Sequence, residues 1–181
     1  MIMFAIGFLI FLIFLFMIIY NSFITVRNRS EEAYATMDTY LKKRWDIIPN
    51  LVETVKGYAT HEKSTLENIV KARNIAMNSS NDKELKENEN ILSKSLKSVF
   101  ALSENYPDLK ANQNFLNLQT QLESIETDIL NSRKYYNAVI RDYNTKIELF
   151  PQSLVASIMK LAKKEYFEIE ENEKENIKIK F

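Results

Sequence analysis

An all-α fold, with an N-terminal transmembrane helix followed by an antiparallel, up-down four-helix bundle of long coiled-coil-like helices, is predicted by three observations. Residues 2–20 form an unbroken apolar run. Apolar residues recur after it at three- and four-residue steps, the period of one helix face. Turn-formers are scarce, with Gly 2 and Pro 3 in 181 residues, which suits long helices better than a sheet. The organisation expected is an anchor over 2–20, a helical bundle over 21–150, a short amphipathic helix over 151–167 and a charged, frayed tail over 168–181.

The anchor is defined by what it lacks. From Ile2 to Tyr20 every residue is apolar, glycine or aromatic, and the first formal side-chain charge is Arg27. At helical rise this run spans about 28 Å, close to the hydrocarbon thickness of a bilayer. A cleaved signal peptide would need a shorter core, a basic residue before it and a small-residue cleavage site at its end. Ala33-Tyr34-Ala35 has the small residues but lies well past the run, so the anchor is read as retained, a signal-anchor. Arg27 and Arg29 follow the span and Lys42, Lys43 and Arg44 lie further on, with no basic side chain before it. Basic residues stay on the cytoplasmic side, which predicts a single-pass protein of the cell membrane with its N-terminus outside and its bundle cytoplasmic.

The bundle follows in order. Val26, Ala33, Met37, Leu41 and Ile48 share a stripe, and Pro49 disfavours helical geometry at the residue before it. The first helix is therefore expected to end near Trp45 to Ile48, with Pro49 opening the second. Leu51, Val55, Ala59, Leu66, Ile69 or Val70, and Arg73 then Met77 carry the stripe to the polar segment Asn78–Asp82, a loop. A third helix, roughly Lys83 to Asn105, shows Leu85, Leu92, Leu96, Val99 and Leu102. Tyr106-Pro107-Asp108 breaks it, with Asp108 as the expected N-cap of the fourth. That helix has the strongest pattern, Phe115, Leu118, Leu122, Ile125, Ile129, Ser132, Tyr136, Val139 and Tyr143, and Pro151 ends it after Phe150. Each stripe can be buried only against the others, and short connections favour antiparallel neighbours.

Several function classes are excluded by composition. With 24 Lys+Arg against 24 Asp+Glu there is no excess charge to hold nucleic acid. Cys 0 removes disulfides and thiolate chemistry. His61-Glu62 begins like a zinc-protease motif, but that motif needs a second histidine four residues on, where Thr65 stands. Carboxylate pairs such as Glu31-Glu32, or Glu62 with Glu67, read as solvated helix faces. Phosphate loops and nucleophile elbows need glycines that are absent. No catalytic, metal or cofactor-binding residue is expected, and no cofactor.

Three features stand out from that background. Tyr136-Asn137 and Tyr143-Asn144 recur one heptad apart, which reads as core packing of the tyrosines rather than a partner-binding face. The segment Asn50–Tyr58 could present a docking surface, and Gly57 in mid-helix suggests close helix approach or a hinge. Beyond Pro151, an even number of helices returns the chain to the lipid surface. There Leu154, Ile158 and Leu161 with Lys160, Lys163 and Lys164 are the candidate membrane contact, with capping of the bundle as the competing role.

Taken residue by residue, the chain resembles LemA family proteins. The resemblance runs through Arg27-Asn28-Arg29, Glu31-Glu32-Ala33, Leu41-Lys42-Lys43-Arg44, Ile48 to Ala59, and His61-Glu62-Lys63. It continues in Tyr106 to Ala111, Asn114-Phe115, Tyr136-Asn137, Tyr143-Asn144 and Phe150-Pro151. Near the end, where the family tends to have Gly-Phe, this chain has Lys160-Leu161. The resemblance implies a bacterial single-pass membrane protein with a helical-bundle body, and no activity. The function expected is a noncatalytic interaction or scaffold protein. The alternative is a membrane-bound hydrolase or carboxylate-metal enzyme, which would bring three or more inward-facing carboxylates together inside the bundle. The expected partners are the lipid bilayer and a protein the sequence does not identify, with a homo-oligomer compatible and no nucleic acid.

Overall fold

The computed structural model describes residues 1–167, so the charged tail read at 168–181 lies outside the described residues. Among the described residues there are helices and no strands: α1 (Ile2–Lys56), α2 (Lys63–Met77), α3 (Asp82–Ser103), α4 (Pro107–Lys110), α5 (Gln113–Glu148) and α6 (Gln152–Ile158). They form two compact units, Met1–Met37 with Asn131–Phe167, and Asp38–Leu130, with α1 and α5 contributing residues to both.

The core of the second unit is made by the stripes the sequence displays. Leu41, Ile48, Leu51 and Val55 of α1, Leu66 and Ile69 of α2, Leu92, Leu96 and Val99 of α3, and Phe115, Leu122 and Ile129 of α5 are all buried. The break expected at Pro49 is not there. α1 continues through Pro49 to Lys56, and the chain turns instead at Gly57–Glu62 before α2 starts at Lys63. A proline at 49 deprives the Trp45 carbonyl of its helical partner. Arg73 of α2 replaces that partner, donating from Nε to the Trp45 oxygen at 2.6 Å, so the helix survives its proline through a side chain distant in sequence. Gly57 marks the helix end rather than a close approach, because a Cβ there would meet only the Thr54 carbonyl oxygen, at 3.6 Å.

Helix starts follow capping chemistry. Asn81 accepts from the Glu84 amide at 2.9 Å, while the Glu84 carboxylate reaches back to the Ser80 amide at 2.9 Å, and together they satisfy amides that lack helical partners. The cap expected of Asp108 belongs to Asn112. Pro107–Lys110 is a separate single turn, and Asn112 Oδ1 accepts from the Phe115 amide at 2.9 Å at the head of α5.

In the first unit Phe23, Ala33 and Met37 of α1 and Tyr136, Val139, Ile140 and Tyr143 of α5 are buried, and the Tyr34 and Tyr136 rings meet edge to face at 5.9 Å. The amphipathic helix expected over 151–167 is shorter. α6 stops at Ile158, and residues 161–167 carry no helix. The stop is a Schellman closure: the Leu161 amide bonds the Ala156 carbonyl at 3.0 Å and the Lys160 amide bonds that of Ser157 at 3.1 Å. Lys160 holds the left-handed position, φ 53°, which an L side chain adopts at a cost of about 1–2 kcal/mol. A glycine would hold that conformation without the cost.

Candidate functional site

α6 is seated by apolar burial. Val155 and Ala156 form a buried cluster with Ile19 and Phe23 of α1, and Leu15, Ile147, Met159 and Leu161 pack around it. Leu15 and Ile19 belong to the apolar run, so α6 lies beside the last turns of that run. The opposite side of α6 is apolar too. Leu154 and Ile158, four residues apart, are 59% and 69% exposed, and the preceding corner adds Leu149 at 52% and Phe150 at 79%.

The six residues expected to touch a membrane therefore do not share one surface. Leu154 and Ile158 are exposed, and Lys160 is exposed at the left-handed turn. Leu161 packs on the α1 cluster. Lys163 pairs with Glu148 at 2.5 Å. Lys164 donates to Ser30 Oγ at 2.7 Å and lies over the Tyr143 ring at 5.2 Å. Of the three lysines, Lys164 is engaged with the protein, Lys163 makes an exposed ion pair and Lys160 stays exposed. Leu149 and Phe150 were missed by sequence reasoning, although an apolar pair directly before Pro151, where the helix must end, is a legible sign of an exposed apolar corner.

The two asparagines beside the buried tyrosines have a role that the packing reading did not include. Asn144 donates from Nδ2 to the Lys164 carbonyl at 2.9 Å and accepts from the Lys164 amide at 2.9 Å. Asn137 does the same to Phe167, at 2.9 and 2.8 Å. Each side-chain amide thereby acts as a backbone surrogate and clasps the strap 161–167 by its main chain. One heptad of helix advances about 10.5 Å, and three residues of extended chain cover about 10 Å, so a Tyr-Asn repeat on α5 matches every third residue of the strap. Phe167, 2% exposed, ends the clasp with the Arg133 guanidinium 4.9 Å above its ring. Burial raises the Tyr143 phenol above its ordinary pKa, against a lowering by the Arg27 charge. Asn144→Asp keeps the acceptor and loses the donor. It should destabilise the strap by about 1–3 kcal/mol, measured as faster amide exchange at Lys164; unchanged exchange would show that the clasp contributes nothing.

In the second unit polar groups gather around the buried Arg44. Glu89 and Glu126 do come together, but around Arg44, which bonds Glu89, Ser93 Oγ at 3.0 Å and Glu126 at 2.7 Å. Among the described residues no group of three or more His, Cys, Asp or Glu side chains is placed to hold a metal, and His61 is exposed on the turn before α2. That turn is tied to the segment before α5: Asn112 donates to the Tyr58 hydroxyl at 2.8 Å and the Tyr106 hydroxyl to Glu62 at 3.3 Å. Burial first, then the Glu62 charge and hydrogen bond, raise the Tyr106 pKa. A groove of about 830 Å³ opens between the last turns of α1 and α2, floored by Val52, Leu66, Val70 and Ile75 and rimmed by Lys56, Glu67 and Lys71. Val52, Glu53 and Lys56 of the segment Asn50–Tyr58, singled out as a docking surface, border this groove.

Comparison with known proteins gives one consistent answer. A family model described as LemA family matches residues 33–181. A curated relative, Protein LemA of Metamycoplasma hominis, is 27% identical over 161 residues, which cover 87% of this chain and 72% of the relative.

Proposed function

The chain belongs to the LemA family, and from that premise we propose that it is a noncatalytic interaction or scaffold protein, held at the cell membrane by α1 with its body in the cytoplasm. The observation that carries this reading is α1 itself. It is the one helix among the described residues long and apolar enough to cross a membrane, and it runs without interruption from an apolar stretch with exposed side chains into residues buried in both units. Side chains as large as Phe8, Ile10 and Phe14, each more than half exposed, are costly in water and at home in lipid. The orientation rests on Arg27 and Arg29 after the span.

The interaction half of the reading is supported by the groove. Its aliphatic floor and rim of both charge signs fit the apolar stripe of an amphipathic helix from a partner protein, a mode in which anchors at i, i+3 and i+4 supply the affinity. Charged groups inside the body serve structure, since the buried carboxylate is neutralised by an arginine rather than left to act on a substrate. The balanced net charge argues against nucleic acid as a partner.

Two measurements test the reading. Protease added to intact cells should leave the body uncut, and lysis should expose it; cutting in intact cells would overturn the cytoplasmic assignment. A photoreactive side chain at Val70, in the groove, should crosslink a discrete polypeptide in the native cell, while one at Leu116, outside it, should not. Identical patterns at both positions would sink the docking role.

A further inference from the structure

Among the described residues nothing covers the apolar corner formed by the end of α5 and α6. Phe150 is 79% exposed, Ile158 69% and Leu154 59%. A helix that is apolar on one side only can rest on a protein surface facing water. One that is apolar on both sides is normally buried on both. The inner side of α6 is accounted for by Ile19 and Phe23; the outer side is not.

We propose that the corner comprising Leu149, Phe150, Leu154 and Ile158 dips into the lipid bilayer beside the anchor, making a second membrane contact in which lipid covers the outer side of α6. This rests on the reading of α1 as a membrane anchor. Lipid rather than a protein is identified as the occupant by position. α6 packs against Ile19, with Leu15 beside it, and these are the last turns of an apolar run that ends at Tyr20. A helix packed there lies at the depth where that run meets the headgroups. On the same turns of α1, Met17 and Ile18 are 50% and 52% exposed, so the anchor still presents uncovered apolar side chains at the level where α6 is seated.

The chemistry is that of apolar insertion. Lys160, Lys163 and Lys164 as free charges at a membrane would favour anionic lipid. In the structure Lys164 is held by Ser30 and the Tyr143 ring and the charge of Lys163 is offset by Glu148, so beside the exposed Lys160 the contact is made by the apolar side chains. Insertion should then depend little on lipid charge or on salt. The corner would fix the ends of α5 and α6 against the bilayer surface, as two-point attachment does for peripheral proteins.

The full-length chain lends itself to a direct test, because Cys 0 makes any introduced cysteine unique. Phe150→Cys, Leu154→Cys and Ile158→Cys are each labelled with an environment-sensitive fluorophore and reconstituted into phosphatidylcholine vesicles, with and without phosphatidylglycerol. A lipid carrying a nitroxide near its headgroup, or iodide in the water, serves as quencher. Ile13→Cys reports on the anchor and Leu116→Cys on a surface away from it. The corner labels should be quenched by the lipid nitroxide at least about threefold more than the Leu116 label and be shielded from iodide, in both lipid mixtures and at high salt. Equal quenching at the corner and at Leu116, with Ile13 quenched by lipid, would overturn the corner and leave the anchor standing. A label at Ile13 that lipid does not quench would instead overturn the anchor. Corner labels shielded from both quenchers would mean that protein covers the corner, and would also overturn the proposal. Unchanged far-ultraviolet circular dichroism shows that each variant is folded. The three corner positions are independent of one another, so loss of one variant leaves the test intact.

Discussion

Arg44→Ala in the full-length chain should lower the stability of the fold by about 3–5 kcal/mol, read from denaturant unfolding in detergent micelles. Arg44 and Glu89 are both 0% exposed. The Glu89 carboxylate accepts from Arg44 and, at 2.8 Å, from the Trp45 indole. Without the guanidinium, a carboxylate stays buried with one neutral donor, and Glu126 loses its partner as well. A buried pair is a different matter from its broken half. Taking two charges out of water largely offsets their attraction, so Arg44→Met with Glu89→Leu, which fills similar space with apolar atoms, should recover most of the loss. One Arg44 donor, Nε, is buried without a partner among the described residues, which further limits what the intact pair contributes. A loss below about 1 kcal/mol for Arg44→Ala would show that the site is wetter than its geometry indicates.

That network was within reach of the sequence. Glu89 stands between Leu85 and Leu92 on the α3 stripe, and Arg44 stands between Leu41 and Ile48 on the α1 stripe. One acid and one base, each at an inward position, are complementary, and a buried pair is what they imply. The helical class, the apolar run and most of the buried leucines were legible for the same reason: helix period and burial are both written in local spacing. What was not legible depended on partners far away in the chain. Pro49 read as a helix boundary because the rule for proline is local, while the group that rescues the helix is Arg73. Asn137 and Asn144 read as neighbours of packed tyrosines because nothing local shows that a strap returns to meet them. The lysines of the C-terminal segment read as a basic face because their spacing suits a helix through residues 159–167, where the backbone has already left the helix. The turn at Lys160 takes Lys163 and Lys164 off the helical face on which Leu154 and Ile158 stand.

The α5 stripe offers the other large effect. Leu122→Ala and Ile129→Ala should each destabilise by about 2–5 kcal/mol, since truncation of a buried aliphatic loses its transfer free energy and leaves a cavity that neighbours fill only in part. Both residues are 1% exposed and both belong to the unit Asp38–Leu130. They stand one heptad apart, about 10.5 Å along the helix, far enough that the double variant should lose the sum of the two within about 0.5 kcal/mol. Leu116 lies on the same helix but is 39% exposed. Leu116→Ala should therefore change stability by no more than about 0.5 kcal/mol, because a partly hydrated leucine has less to lose and alanine is the better helix former. The comparison of Leu116→Ala with Leu122→Ala isolates burial from helix propensity, which the two leucine substitutions change alike. Equal losses at Leu116 and Leu122 would mean that the whole circumference of α5 is covered by protein, and the heptad stripe would no longer describe what holds the helix in place.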